Sequence, residues 1–288
     1  MAPDYLVIAR AHRAATTSVT RAEELSSNRA TIMARTHPRV VIDAESVFLK
    51  VPLSAVEERR AEQEVQRTRA AFAGPWGHYA PENVELVEQG RLTVCRYARY
   101  DAVPTSLGEY ERDVLTVLDA LESGETGQMS STDLYRRLQS PREPANFEDD
   151  DLENLRSRLL GQGTLPVLIG PSHGDLHREN VLRLRGGGIK LIDWPRGEDR
   201  NPRFLDAVYA TLDLHRRRAG ASLSEAAIAF MKNDIEGPLA ERAGELLGSM
   251  SREDVILWRM LHAMSFYAHD ARRDPGNQTL QTLRRLWG

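Results

Sequence analysis

The sequence predicts an α+β chain of two lobes, a small strand-rich one followed by a larger, mainly helical one. Three observations carry that expectation. Strand-like apolar runs interrupted by a single amphipathic helix fill the chain from about Ala30 to Tyr97. Helical patterning dominates from Leu107 onward. The one strand-like pair singled out in that second part brackets a glycine turn, Gly186-Gly187-Gly188. With 288 residues and 41% hydrophobic content the chain is long enough to bury a sizeable core. The expected division is 1–97 and 98–288, with the crossing near residues 97 to 104.

The elements follow in order. Residues 1 to 25 are compatible with helix, and Ser26-Ser27-Asn28-Arg29 reads as a turn before a strand over Ala30 to Arg35. Val40 to Val51 reads as strand, break, strand. A helix is expected from Ser54 to Phe72, with Ser54 as N-cap and Glu57 completing a capping box. Gly74-Pro75-Trp76-Gly77 ends it. Val84 to Val87 and Leu92 to Tyr97 are two further strands, and Asp101-Ala102-Val103-Pro104 leaves the sheet. Gly124 to Gly127 and Pro141 to Pro144 are loop punctuation. Helices are expected over 203–218, 222–247 with a break near Gly237-Pro238, and 251–270. No internal repeat is visible.

Composition excludes several classes. A net charge of −4 argues against a general nucleic-acid binder. The single cysteine, Cys95, rules out an internal disulfide and a cysteine-built metal cage. No apolar run is long enough for a membrane helix, and Met1-Ala2-Pro3-Asp4-Tyr5 does not read as a secretory leader, so a soluble cytoplasmic protein is expected. Of the 38 basic residues only Lys50, Lys190 and Lys232 are lysines, a bias that reflects GC-rich coding and gives each lysine weight.

The chemistry concentrates in Ser172-His173-Gly174-Asp175-Leu176-His177-Arg178-Glu179-Asn180-Val181-Leu182 and the downstream Leu191-Ile192-Asp193-Trp194. Val181 to Arg185 alternates apolar and polar, and Ile189 to Ile192 returns as a second strand, so a hairpin would carry Asp193 back towards Asp175 and Asn180. Phosphoryl transfer from a nucleotide needs this set: one carboxylate to orient an acceptor hydroxyl, and a carboxamide with a second carboxylate to hold Mg²⁺ against the phosphates. Asp175 is the candidate catalytic base, and Asn180 and Asp193 are the candidate Mg²⁺ ligands. His173 is expected to brace the loop, while His177 is placed to approach substrate or phosphate. The carboxylates and the missing third nitrogen ligand argue against zinc.

His-Gly-Asp-Leu-His-x-x-Asn-Val-Leu with a downstream Ile-Asp-Trp resembles the aminoglycoside phosphotransferase and choline kinase group, small-molecule kinases on the protein-kinase-like fold. Residues 172–206 carry the close match. The resemblance implies ATP, with GTP as the alternative nucleotide, and Mg²⁺. It implies that Lys50, ending an apolar strand, reaches the α and β phosphates. Its partner would be Glu64, with Glu62 in reserve, because Ala61-Glu62-Gln63-Glu64-Val65 resembles the family's helix. Ser27 would contact phosphates from a loop that lacks the usual glycines. Backbone groups from Arg96 to Ala98 would meet the adenine edge. Asp206, in a Pro-x-x-x-Asp run, would brace the catalytic loop from below.

The acceptor is expected to be a small-molecule hydroxyl, an antibiotic first, by association with such enzymes in arginine-rich proteomes. The acidic run Glu148 to Asp151 with Glu153 would attract a cationic acceptor or be plainly solvated. Trp258, His262, Phe266, Tyr267, His269 and Asp270 would wall the acceptor site or serve as core. A metabolic kinase for an amino alcohol, sugar or nucleoside uses the same parts. A pseudokinase is disfavoured because Lys50, Asp175 and Asp193 are all present. A protein kinase is disfavoured by Ile-Asp-Trp in place of Asp-Phe-Gly.

Overall fold

The structure is a computed structural model that describes residues 31–34, 39–43, 47–52, 55–89, 92–121, 124–139, 150–266 and 278–287. These form two compact units. One holds the described residues up to Val103 together with Leu184–Pro195, and the other holds Pro104–Arg183 and the described residues from Arg196 onward.

The first unit is built on five strands: β1 (Thr31–Ala34), β2 (Arg39–Asp43), β3 (Val47–Pro52), β4 (Glu85–Gln89) and β5 (Leu92–Ala98). They pair antiparallel in the order β1-β2-β3-β5-β4. One helix, α1 (Ala55–Ala73), lies between β3 and β4 in the chain. Its buried positions are Glu57, Ala61, Glu64, Val65, Thr68 and Ala71, a helical stripe of steps of three and four. Ala61 and Val65 pack against Val84, Cys95 and Tyr97, with Phe48 and Leu86 at the margin. This periodicity puts Glu64 on the buried face and Glu62 on the exposed one. The expected cap, Ser54, lies outside the described residues.

After α1 the chain folds Trp76 against Trp194 with ring centroids 5.3 Å apart. Lys190 is structural, donating to the carbonyls of His78 and Ala80, each at 3.1 Å. A short strand, β6 (Ala102–Val103), closes the unit's first segment. The glycine turn flanked by β9 (Val181–Leu184) and β10 (Ile189–Leu191) closes as expected, Leu184 N–H donating to Gly188 C=O at 3.1 Å. Gly187 and Gly188 have φ of 91° and 88°, a region that side chains with a Cβ rarely enter.

The second unit opens with α2 (Leu107–Ala120), started by a Ser106–Glu109 capping box. Further along come α3 (Asp133–Gln139), α4 (Asp150–Leu160), α5 (Phe204–Ala219), α6 (Leu223–Met231), α7 (Pro238–Leu246), α8 (Arg252–Phe266) and α9 (Gln278–Trp287). α5 and α8 are buried on most of their surface and form the centre of this unit. α6 stops at Met231, well before the expected break, and Gly237 with Pro238 at the first helical position starts α7.

This unit also holds a sheet that sequence patterning passes over. β7 (Glu125–Gln128), β8 (Pro166–Ser172) and β11 (Glu198–Pro202) pair antiparallel in the order β11-β8-β7. Glu198-Asp199-Arg200-Asn201-Pro202 has no apolar alternation. Its strand character comes from pairing with β8, Glu198 opposite Ser172 and Asn201 opposite Gly170. β8 and β11 lead into and away from the two ends of the motif segment.

Phe230 is fully buried in α6 and lies under the Arg252 guanidinium at 4.8 Å. Phe230→Ala should cost about 3–5 kcal/mol of stability. Urea unfolding is expected to show a lower midpoint with an unchanged slope.

Candidate active site

In the first unit the side chains of Lys50, Glu64, Tyr97 and Asp193 come together. Lys50 sits on β3 opposite Cys95 of β5 and is 8% exposed. Its ammonium donates to Glu64 Oε1 at 2.5 Å and to Asp193 Oδ1 at 2.8 Å. Glu64, not Glu62, is the helix carboxylate that meets it. The Tyr97 hydroxyl also donates to Glu64 Oε1, and the Lys50 ammonium stands 5.2 Å from the Tyr97 ring centre. Burial, together with the Glu64 charge, pushes the Tyr97 phenol well above its ordinary pKa, so it stays a hydrogen-bond donor. One ammonium thus faces two carboxylates.

Asp193 has φ of 65°, a left-handed conformation that costs a non-glycine residue roughly 1–2 kcal/mol. The strand β10 before it and the buried Trp194 after it, whose indole N–H donates to Leu191 C=O at 2.7 Å, hold it there. Strain of this kind, imposed by the surroundings, is typical of functional positions.

In the second unit the motif loop is clamped through its backbone. The N–H groups of His173 and Gly174 donate to the two carboxylate oxygens of Asp206, at 2.7 and 2.8 Å. Gly174 has φ of 76°, and a Cβ there would stand 2.5 Å from the Arg196 carbonyl, so only glycine fits. Asp175 N–H donates to His173 Nδ1 at 3.3 Å, the bracing contact expected of that histidine. The Asp175 carbonyl accepts from His177 N–H and from Asn180 Nδ2, both at 2.9 Å. Asn180 is therefore tied to the loop through its amide nitrogen. Tyr110 Oη supports the loop from α2 by donating to Leu176 C=O at 3.3 Å.

The Asp175 carboxylate lies 3.3 Å from Arg196 Nη1 and 3.8 Å from His177 Nε2. His177 Nδ1 is bonded to Glu179 at 2.7 Å. Burial alone would lower the His177 pKa, but Glu179 and Asp175 outweigh it and raise it. The same hydrogen bond, with Arg217 behind it, brings Glu179 down to about 2.

Other expected site residues fall elsewhere. Ser27 lies outside the described residues, as do Glu148, Asp149, Tyr267, His269 and Asp270. Arg96 is exposed on β5 and its side chain faces Glu85 at 3.7 Å, while Ala98 ends that strand opposite Val47. Glu153, the member of the acidic run whose side chain is described, is paired with Arg156 at 2.6 and 2.8 Å. Trp258 is fully buried and bonds Gln162, so it belongs to the core. Phe266 lies beneath the Arg137 guanidinium at 4.1 Å. The side-chain contact of Tyr97 with Glu64 is not readable in the sequence, where Tyr97 counts only for its backbone, and neither are the positions of Arg196, Tyr209 and Arg259. These three sit in helix or loop text without a motif, and one arginine in so arginine-rich a chain carries no signal.

Each unit offers a donor of the kind a hard cation takes: in the first, Asp193 offers a carboxylate, and in the second, Asn180 offers a carboxamide oxygen once its nitrogen is spent on the Asp175 carbonyl. Among the described residues no group of three or more His, Cys, Asp or Glu side chains forms a self-sufficient metal cage. That suits an ion that completes its shell with water and phosphate oxygens.

No protein-family model matches the chain, and no curated protein matches it significantly. Solved structures do. An aminoglycoside phosphotransferase, APH(4)-Ia, in ternary complex with ADP and hygromycin B, is 16% identical over 90% of this chain and 95% of its own, with a TM-score of 0.55. A choline/ethanolamine kinase family protein from Mesorhizobium loti is 14% identical over 99% of this chain and 93% of its own, with a TM-score of 0.50. The GDP and kanamycin complex of APH(2")-IIia is 12% identical over 93% of this chain and 94% of its own, with a TM-score of 0.50. The chain has the α+β, protein-kinase-like fold of these small-molecule kinases.

Asp206 is fully enclosed, and burial lifts its carboxyl to about 6 despite the two backbone donors. A folded-state value above the ordinary 3.8 stabilises the fold fully below about pH 4, and that contribution is lost as pH rises through about 6. The two-unit difference corresponds to about 3 kcal/mol. Subtracting the urea stability of Asp206→Asn from that of the wild type between pH 4 and 7 should reveal this slope. A flat difference would remove the assignment. Asp206→Ala, which strands two buried N–H groups, is expected to cost about 3 kcal/mol or more at pH 7.

Proposed function

We propose that this protein is a nucleotide-dependent phosphotransferase that moves the γ-phosphoryl group of ATP, or of GTP, to a hydroxyl of a small molecule. The observation that carries the reading is the Lys50 ammonium held between Glu64 and Asp193 in a chain whose Asp175 loop is fixed by Asp206. Lys50 would neutralise the α and β phosphates, with Glu64 and Tyr97 setting its position. Asn180 and Asp193 would hold Mg²⁺, which supplies charge neutralisation on the β and γ phosphates. Asp175 accepts the hydrogen bond of the acceptor hydroxyl and orients its lone pair for in-line attack. The hydroxyl oxygen forms the new bond to phosphorus as the bond to the β-phosphate oxygen breaks. The hydroxyl proton passes to Asp175. In this reading residues 1–97 supply the sheet and helix that hold the nucleotide, and residues 98–288 supply the catalytic loop and the acceptor-binding helices.

Fold kinship supports a small-molecule acceptor, and an antibiotic is a natural class to test, because hygromycin B and kanamycin occupy two of the similar structures. The acidic run adds nothing to that choice, since the Glu153 carboxylate is engaged by Arg156.

Incubation with ATP, Mg²⁺ and a panel of antibiotics, hydroxy acids, sugar phosphates, amino alcohols and nucleosides should give one product heavier by a single phosphate. Asp175→Asn should lower its rate about 10²- to 10⁴-fold, or roughly 3–5 kcal/mol of transition-state stabilisation. Nucleotide affinity should stay within about threefold of wild type. Full activity in Asp175→Asn would refute the role. Lys50→Met should instead weaken ATP binding by roughly 10- to 100-fold, the loss of a charge-assisted hydrogen bond, readable by titration calorimetry.

A further inference from the structure

In the second unit one buried guanidinium, that of Arg259, has no carboxylate to pair with among the described residues. This residue lies on α8 and is 4% exposed. Its guanidinium stacks on the Tyr209 ring at 3.8 Å. Nη1 finds only the Met260 sulfur at 3.2 Å, and Nε has no hydrogen-bond partner. Among the described residues no carboxylate stands within ion-pair distance of it. Neighbouring arginines differ. Arg196, also 4% exposed, faces Asp175 at 3.3 Å and donates to Tyr209 Oη at 2.9 Å. Arg137 is paired with Glu198. Burial depresses the Arg259 pKa, with Tyr209 and the more distant Asp175 charge opposing it and Arg196 and Arg216 adding to it, yet a guanidinium stays charged in a protein. Tyr209 thus meets two guanidinia, Arg196 through its hydroxyl and Arg259 through its ring, and of the two only Arg196 also faces Asp175 at ion-pair distance.

A buried charge without a counter-ion costs several kcal/mol. Such a group is retained where a ligand supplies the missing charge. The planar fork of arginine suits a carboxylate or a phosphate, which it can grip with two parallel hydrogen bonds. We propose that the acceptor carries an oxyanion, either a carboxylate or a phosphate ester, that pairs with Arg259 while a hydroxyl of the same molecule meets Asp175. The inference rests on the phosphotransferase reading for the hydroxyl, and on Arg259 alone for the anion. It turns the choice of acceptor away from polycationic aminoglycosides, which would meet like charge at this point.

The test separates the two parts. Inorganic phosphate replaces chloride at constant ionic strength, without nucleotide, and thermal unfolding of the wild type, Arg259→Met and Lys50→Met is followed. Phosphate at about ten times its dissociation constant should raise the wild-type Tm by roughly 2–4 °C. Lys50→Met should keep that rise, and Arg259→Met should lose most of it. Without phosphate, Arg259→Met should melt no lower than the wild type, because an uncompensated charge has been removed; a purely structural arginine would lower it. If the methionine variant fails to fold, Arg259→Lys is read instead and should keep less than half of the rise.

A rise unchanged in Arg259→Met, absent from the wild type, or lost only in Lys50→Met overturns the proposal. In the acceptor panel, hydroxy acids and sugar phosphates should be phosphorylated, with the KM of the acceptor, but not of ATP, raised at least tenfold by Arg259→Met. Phosphorylation of an aminoglycoside that is indifferent to Arg259→Met would equally overturn it. Loss of ATP binding in every preparation would defeat the phosphotransferase reading while leaving the phosphate shift at Arg259 interpretable.

Discussion

The carboxylate of Asp206 is the contact on which the motif loop depends. It is buried, it belongs to the first turn of α5, and both of its oxygens accept backbone N–H groups, from His173 and Gly174. Those donors would otherwise be stranded at the end of β8, where the chain turns through a left-handed glycine. With them satisfied, the next residue, Asp175, emerges with its own carbonyl fixed by His177 and Asn180. The backbone entry to the Asp175 loop is hung from this one carboxylate.

The first unit solves a comparable problem with side chains. A lysine on a buried strand needs a counter-ion, and the helix that covers the sheet provides one at Glu64. Tyr97 adds a second donor to the same carboxylate, leaving it doubly engaged. Buried ion pairs of this kind contribute little net stability, because desolvation offsets their attraction. What they provide is position. Lys50 is held by groups that leave little freedom, and Asp193 is brought to it through a strained backbone.

The surroundings of Asp175 follow a different logic. Arg196, Tyr209 and Arg259 form an array in which aromatic and guanidinium planes carry the contacts. Glu179 and Arg217 hold His177 at the edge of the loop. In the function proposed above, the charges there, more than the shape of the fold, would distinguish one small-molecule acceptor from another, since the fold itself serves many.

The sequence alone determined the strand-rich and helical halves, the glycine turn, and the spacing of Asp175, Asn180 and Asp193, because these depend on periodicity and on residue types that local chemistry demands. The resemblance of Ala61 to Val65 to the family's helix also favoured Glu64 over Glu62, and the burial of Glu64 on α1 agrees with it. Tertiary structure decided what counting does not reach. The β7-β8-β11 sheet arises from pairing of segments without alternation, Tyr97 joins Lys50 through strand register and a covering helix, and Arg196 and Arg259 are drawn to one tyrosine from segments far apart in the chain. Burial and partnership are properties of the packed molecule, and they turn two unremarkable arginines among many into one that is paired and one that is not.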